Sequence, residues 1–284
     1  MQKVDTDELI KDWVASPPKV YFQLRTLLDD PRASFGDFAK VIKRDPALMA
    51  KLLKIVNSPL YSVEEEVDTI EHAINIVGTD QLSDLSLASS VATQFDKIPK
   101  RLINPVSFWR HGMATGITAK ALAKQKGIKD YDYYYVAGML HNLGSLILFQ
   151  KFPDKSAQVL ERCRESKLSL SKVEMEVFGT CHEKVGGALL RRWGLPLKFV
   201  EPALFHHEPT KSKEFPITTS IIHVADILTR TLKLGDSGEP NIPPYDPMVM
   251  RVLKLNDEKL KEIEETVKND FYDEIFFNKD SVLY

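Results

Sequence analysis

The stretch that decides the fold is VAGMLHNLGSLILF, at residues 136–149. It is apolar on most faces of a helix, which is typical of a helix surrounded by other helices. We therefore predict one central buried helix over these residues. Its two strongly polar members are His141 and the amide that follows it, Asn142.

Helical signals continue on both sides of this stretch. Asp45 followed by Pro46 is the usual pattern of an N-cap and a first helical residue. Further helices are predicted from apolar spacing and from glycine or proline at their ends, over residues 108–123, 182–193, 216–234 and 249–268. No run of alternating β-branched residues is present to indicate a sheet. The predicted fold class is all-α, a multi-helix bundle with no significant sheet.

Composition indicates an ordinary globular protein. The chain has 284 residues, with 43% hydrophobic and 27% charged residues and a net charge of −2. That balance predicts no sequence-independent binding to nucleic acid or to an anionic membrane. Two cysteines form no metal-binding pair or disulfide framework, and no apolar run approaches the length of a membrane span. We expect a cytoplasmic protein without a secretory signal.

Residues able to bind a metal recur along the predicted helices. Taken singly, each histidine is more typical of a structural role, with its ring nitrogens hydrogen-bonded. Their order along the chain favours a shared metal site instead, because imidazole and carboxylate groups together suit iron, manganese, zinc or nickel. Two such ions held close together can bind a phosphate and generate hydroxide. The candidate ligands are His111, His141, His182, His206, His207 and Asp226.

Several separated motifs carry a family resemblance. They are LLKIVNSPLY at residues 52–61, IEHAINIVG at residues 70–78, FWRH at residues 108–111, AGMLHNLG at residues 137–144, and residues 182–196 ending in RWGLP. Together they resemble the HD superfamily of metal-dependent phosphohydrolases, and more closely its HDOD (HD-related output domain) group. The resemblance covers about residues 14–234.

The resemblance implies a site in which Asn142 is the departure. The six candidate ligands stand where an active HD enzyme places its own, but position 142 is an aspartate in active members and often bridges two metals. Asn142 offers one neutral carbonyl oxygen and an NH₂ group that cannot ligate. A two-metal site is therefore expected to be lost. A vestigial site, a mononuclear site with one transition metal, and a hydrogen-bonded polar cluster stay open.

The resemblance also implies a function and a domain organisation. HDOD proteins are bacterial signalling or regulatory modules that generally lack hydrolase activity, so a protein partner or a small nucleotide-like ligand is expected. The alternative is a metal-dependent phosphohydrolase acting on a nucleotide or cyclic dinucleotide through an altered mononuclear site. Residues 1–97 are expected to form an N-terminal helical lobe and residues 98–235 an HD-like core. Residues 236–284 are expected to form a linker and a C-terminal helical segment packed on the body.

Overall fold

The computed structural model describes residues 5–11, 18–58, 60–61, 63–92 and 98–277. Pro59 of the motif at residues 52–61, and residues 278–284 of the predicted C-terminal segment, lie outside these ranges. The described residues form α-helices and a short 3-10 helix, Pro209–Lys211, without a strand, so the all-α prediction is confirmed. The α-helices in chain order are α1 (Thr6–Lys11), α2 (Lys19–Leu28), α3 (Phe35–Ile42), α4 (Pro46–Val56), α5 (Ile70–Val77), α6 (Thr79–Ala92), α7 (Pro105–Gln125), α8 (Tyr133–Leu140), α9 (Leu143–Lys151), α10 (Pro153–Ser166), α11 (Leu170–Phe178), α12 (His182–Arg192), α13 (Leu197–Phe205), α14 (Pro216–Thr231), α15 (Pro247–Leu253) and α16 (Asp257–Phe277).

The buried stretch at residues 136–149 is two helices, so the prediction of one helix is wrong. α8 ends at Leu140, α9 begins at Leu143, and Asn142 between them has φ −108° and ψ 13°, away from helical geometry. α8 packs against α7, whereas α9 packs against α12. One straight helix cannot follow both neighbours, so the chain bends at the two polar residues.

The predicted helix over residues 249–268 is also divided. α15 ends where Lys254 adopts a left-handed conformation with φ 57°. The Asn256 side chain then accepts a hydrogen bond from the Lys259 amide at 2.9 Å, which caps the start of α16. The other predicted helices match α7, α12 and α14 with small shifts at their ends.

One compact unit comprises the described residues within Met1–Val14 and Phe95–Val267. α7 is packed against α8 and α14, and α12 is packed against α9, α13 and α1. No helix that could cross a membrane, by length and apolar character together, occurs in the ranges given above.

The second unit comprises the described residues within Ala15–Gln94 and Lys268–Tyr284. Its α6 packs against α2, α4 and α5. The predicted cap of α4 is confirmed, because the Asp45 carboxylate accepts a hydrogen bond from the Leu48 amide at 3.0 Å. Asn57 fixes the following loop, since its side chain exchanges hydrogen bonds with the Val67 amide and carbonyl at 2.7 and 2.8 Å. The division into residues 1–97, 98–235 and 236–284 stays a prediction.

Two glycine contacts bring the helices of the first unit unusually close. A Cβ on Gly138 of α8 would lie 2.5 Å from the backbone of Gly116 in α7. A Cβ on Gly144 of α9 would lie 1.9 Å from the His182 carbonyl oxygen and 2.6 Å from the Gly186 amide in α12. Real Cβ atoms do not approach that closely, so these positions require glycine. The bend between α8 and α9 is thus held against both α7 and α12.

Candidate metal centre

The close helix packing gathers the predicted ligands into one buried region of the first unit. α7 supplies His111, the bend after α8 supplies His141, and α14 supplies Asp226. α12 begins with His182, and the end of α13 supplies His206 and His207. The rings form a continuous chain of neighbours, with centroids 5.5 Å apart between His111 and His141 and 5.0 Å apart between His141 and His206.

The first group consists of His111, His141 and Asp226. Asp226 Oδ1 lies 3.1 Å from His111 Nε2 and 3.6 Å from His141 Nε2. All three atoms are buried, and none of them has a hydrogen-bond partner. Convergence without hydrogen bonds is the arrangement expected of groups that can share a cation.

The second group consists of His182, His206, His207 and Glu239. His207 Nε2 lies 3.2 Å from His182 Nε2 and 3.2 Å from Glu239 Oε1, and His182 Nε2 lies 3.9 Å from the same carboxylate oxygen. His206 Nε2 is buried without a hydrogen-bond partner. Three imidazoles and one carboxylate therefore face a common centre.

Arg230 lies between the two groups. Its Nη1 donates to Asp226 Oδ2 at 3.2 Å and lies 3.1 Å from Glu239 Oε2. Its Nη2 donates to the Asn241 carbonyl. Each carboxylate therefore turns one oxygen toward the guanidinium and the other toward histidines. The Arg230 side chain is 4% exposed, so this ion-pair network is shielded from water.

Backbone and carboxylate acceptors fix the histidine tautomers in this region. The Nδ1 atoms of His141 and His206 lie 2.6 and 3.1 Å from the carbonyls of Gly138 and Ala203, to which they can donate. His182 Nδ1 lies 2.7 Å from Glu174 Oε2. A histidine that donates through Nδ1 presents the Nε2 lone pair to a metal, and such contacts orient metal ligands in proteins.

Electrostatics separate the histidines into neutral and charged members. Burial lowers the pKa of His206 well below its usual value, and the nearby His207 and His141 lower it further. Burial also lowers the pKa of His111, despite the neighbouring Asp226. These two rings are therefore neutral near pH 7.

His182 behaves in the opposite way. Burial alone would lower the pKa of His182, but the Glu183 and Glu174 carboxylates raise it to about 10. Burial would likewise raise the pKa of Glu239, but Arg230 and His207 bring it down to about 2. In the metal-free protein His182 holds a proton, and a metal ion at Nε2 would displace that proton.

Asn142 lies at the bend with 2% of its surface exposed. Its Oδ1 accepts a hydrogen bond from Ser145 Oγ at 3.3 Å, and its Nδ2 is buried without a partner. The amide therefore brings no negative charge to the region, and its oxygen is engaged within α9. Asn142 differs in this respect from the six other predicted site residues, whose ring or carboxylate atoms belong to the two groups.

Sequence reasoning missed four charged residues of the site. Arg230 follows Asp226 by four positions on α14, a spacing that places two side chains on one helix face and could have indicated it. Glu183 adjoins His182, and Glu174 lies one helix earlier. Glu239 has no such signal, because it lies in a loop rich in glycine and proline.

The residues present fit one metal ion better than two. The second group supplies four ligand atoms within 4.8 Å of one another, enough for a closed tetrahedral site of the zinc type. The first group supplies three, which leaves a closed four-coordinate ion one ligand short. Position 142 lacks the bridging carboxylate that a two-metal centre uses.

Comparisons with known proteins agree with this architecture. A protein from Treponema pallidum (strain Nichols), described as uncharacterized, is 26% identical over 272 residues, and the chain spans half of that relative's length. An HDOD domain protein of unknown function from Geobacter sulfurreducens is 24% identical with a TM-score of 0.70, covering 96% of this chain and 92% of that one.

Two further solved structures share the fold. A candidate signal transduction protein from Marinobacter aquaeolei VT8 is 20% identical with a TM-score of 0.74, covering 98% of this chain and 61% of that one. A candidate phosphohydrolase from Shewanella amazonensis SB2B is 19% identical with a TM-score of 0.75, covering 96% and 97%. The HDOD domain family matches residues 14–209, more than half of the sequence. The chain belongs to the HDOD family.

Proposed function

We propose that this chain is a bacterial regulatory module of the signalling type that does not hydrolyse phosphate esters. It acts by binding a protein partner or a small nucleotide-like ligand. Membership of the HDOD family and the fold shared with a candidate signal transduction protein support the signalling role.

The Arg230 ion pair is the observation that carries the proposal. In a phosphohydrolase the aspartate equivalent to Asp226 must bind a metal that activates water. Here Asp226 Oδ2 lies 3.2 Å from the Arg230 guanidinium, which is always charged and accepts no hydrogen bond. The carboxylate is thus balanced by a cation that cannot coordinate water.

Charge and access support the same conclusion. Asn142 contributes no charge where active HD enzymes have a bridging aspartate. The side chains of His111, His141 and Asp226 are 0–2% exposed. A phosphate ester would have to reach groups that are enclosed by α7, α8 and α14.

A hydrolysis assay tests the inactive state. The purified protein is stripped of metal, then supplied separately with iron, manganese, zinc and nickel. It is offered an activated phosphodiester, nucleotides and cyclic dinucleotides. We expect rates no higher than those of protein-free mixtures with the same metal. Metal-dependent turnover that disappears in both His141→Ala and Asp226→Ala would overturn the proposal.

A thermal-shift screen addresses the binding role. A nucleotide-like ligand should raise the Tm in proportion to the logarithm of its concentration above Kd. If no nucleotide shifts the Tm, the protein-partner form of the proposal is favoured.

The second candidate is a metal-dependent phosphohydrolase with an altered mononuclear site. It is favoured by the unpartnered nitrogens of His111, His141 and His206, which are oriented as ligands. The same assay separates it from the regulatory module, because its turnover requires the metal and these side chains.

A further inference from the structure

We infer that His182, His206, His207 and Glu239 form a closed, four-ligand site for one zinc-type ion, which fastens the segment carrying Glu239 to the helical core. Such an ion would act structurally. The inference goes beyond the proposed regulatory role and does not depend on the absence of hydrolysis.

Ligand spacing is the first support. Zinc binds imidazole nitrogen and carboxylate oxygen at about 2.0–2.2 Å, which separates neighbouring ligands of a tetrahedron by about 3.3 Å. His207 Nε2 lies 3.2 Å from both His182 Nε2 and Glu239 Oε1, and the last two atoms are 3.9 Å apart. Ligand atoms already stand at the distances that a bound ion requires.

Ligand atoms whose hydrogen bonding is unsatisfied are the second support. His206 Nδ1 lies by the Ala203 carbonyl, and its Nε2 is buried without a hydrogen-bond partner within 4.8 Å of the other three ligand atoms. His207 Nε2 can either accept a hydrogen bond from His182 Nε2 or donate one to Glu239 Oε1, and one nitrogen cannot do both. A metal ion satisfies all four atoms at once.

Outer contacts hold two of the ligands in position. The Glu174 carboxylate lies 2.7 Å from His182 Nδ1, from which it can accept a hydrogen bond. This carboxylate–histidine pairing is common around zinc. Arg230 pairs with Glu239 Oε2 at 3.1 Å and leaves Oε1 for the ion. The Glu239 side chain is 3% exposed, so it is already placed in the site.

The segment from Gly235 to Asn241 is held to the helices on both sides of Glu239. Gly235 has φ 99°, and a Cβ there would lie 2.3 Å from the His111 amide, so the chain passes directly over α7. The Asp236 amide donates to the Ser107 carbonyl at 3.0 Å. The Asn241 side chain donates to the carbonyls of Cys163 and Leu168 at 2.8 and 2.9 Å. Glu239 lies between these two anchors.

Metal titration of the full chain tests the inference. The protein is purified without chelators or a metal-binding tag, its metal content is measured, and Zn²⁺ and Co²⁺ are titrated into the stripped protein. We expect one ion per chain, a Co²⁺ absorption spectrum of the four-coordinate type, and slower hydrogen exchange in residues 236–241 with Zn²⁺ bound.

Variants locate the ion. Glu239→Gln should weaken Zn²⁺ binding at least tenfold, whereas the control Glu208→Gln, an exposed glutamate beside His207, should bind like the wild type. Equal affinities in the two variants, or the absence of stoichiometric Zn²⁺ and Co²⁺ in the wild type, would overturn the inference. X-ray absorption of the zinc-loaded wild type needs no variant: three imidazoles and one oxygen support the site, and two imidazoles place the ion in the first group and refute it.

Discussion

Replacing Arg230 by methionine should destabilise the metal-free protein severely. Methionine keeps much of the side-chain volume and removes the guanidinium. Two buried carboxylates, Asp226 and Glu239, then lose the cation that lies 3.2 and 3.1 Å away. The Asn241 carbonyl loses its donor as well.

The magnitude follows from burial. Asp226, Glu239 and Arg230 have side-chain exposures of 2%, 3% and 4%, so water does not screen the charges left behind. Removing one partner of a buried ion pair costs about 3–5 kcal/mol, mostly through the uncompensated charge. For a chain of this size each kcal/mol moves the Tm by roughly 2–4 °C. We expect a Tm decrease of roughly 6–20 °C.

Thermal unfolding monitored by circular dichroism, in the presence of a chelator, measures the effect. The control Arg191→Met removes an exposed arginine from α12 and should change the Tm by less than roughly 2 °C. Zn²⁺ should restore part of the lost stability in Arg230→Met, because an ion in the second group would place positive charge at Glu239. A loss below about 1 kcal/mol in the chelated variant would refute the assignment of Arg230 as the internal counter-ion.

Three other changes probe the surrounding structure. Gly144→Ala should lower the free energy of unfolding, measured by urea denaturation, by at least about 3 kcal/mol, because its Cβ would overlap backbone of α12. The control Gly112→Ala, whose Cβ would lie 3.4 Å from the nearest atom, should change that free energy by less than about 1 kcal/mol. Asn142→Asp should raise metal occupancy above one ion per chain, measured by elemental mass spectrometry, since it adds a carboxylate next to His141; unchanged occupancy would show that position 142 cannot help to hold a second ion. Asn241→Ala removes both hydrogen bonds from this side chain, to the Cys163 and Leu168 carbonyls, and should cost about 1–3 kcal/mol, with faster hydrogen exchange limited to residues 236–241 as the sign that the anchor has been lost.

Much of the helical architecture could be predicted from sequence because it depends on local signals. Asp45 with Pro46 marks a helix start whatever lies around it, and the described structure has that cap. The bend at His141 and Asn142 could not be predicted in the same way. Apolar residues continue on both sides of it, and only the packing of α8 on α7 and of α9 on α12 makes the chain turn.

The candidate site also contains residues that the sequence could indicate and one that it could not. Histidines are rare enough for their order to indicate a metal-binding region, and six predicted ligands do converge. Glu239 could not be found, because glutamate is common and a loop has no periodicity that would point one of its residues inward. Its place depends on Gly235 passing over α7 and on the Asn241 side chain donating to the carbonyls of Cys163 in α10 and of Leu168 after it.

Arg230 gives a physical reason why a hydrolase scaffold can keep its histidines without hydrolysis. A two-metal centre needs carboxylates to offset the repulsion of its cations, and its metals must bind the water that becomes the nucleophile. Arg230 supplies one permanent positive charge to Asp226 and Glu239 and cannot leave, lose its proton or bind water. In the regulatory role proposed above, the remaining histidine lone pairs would hold at most a structural ion. In this chain the histidines alone are therefore no evidence of hydrolysis, because Arg230 is paired with both carboxylates that adjoin them.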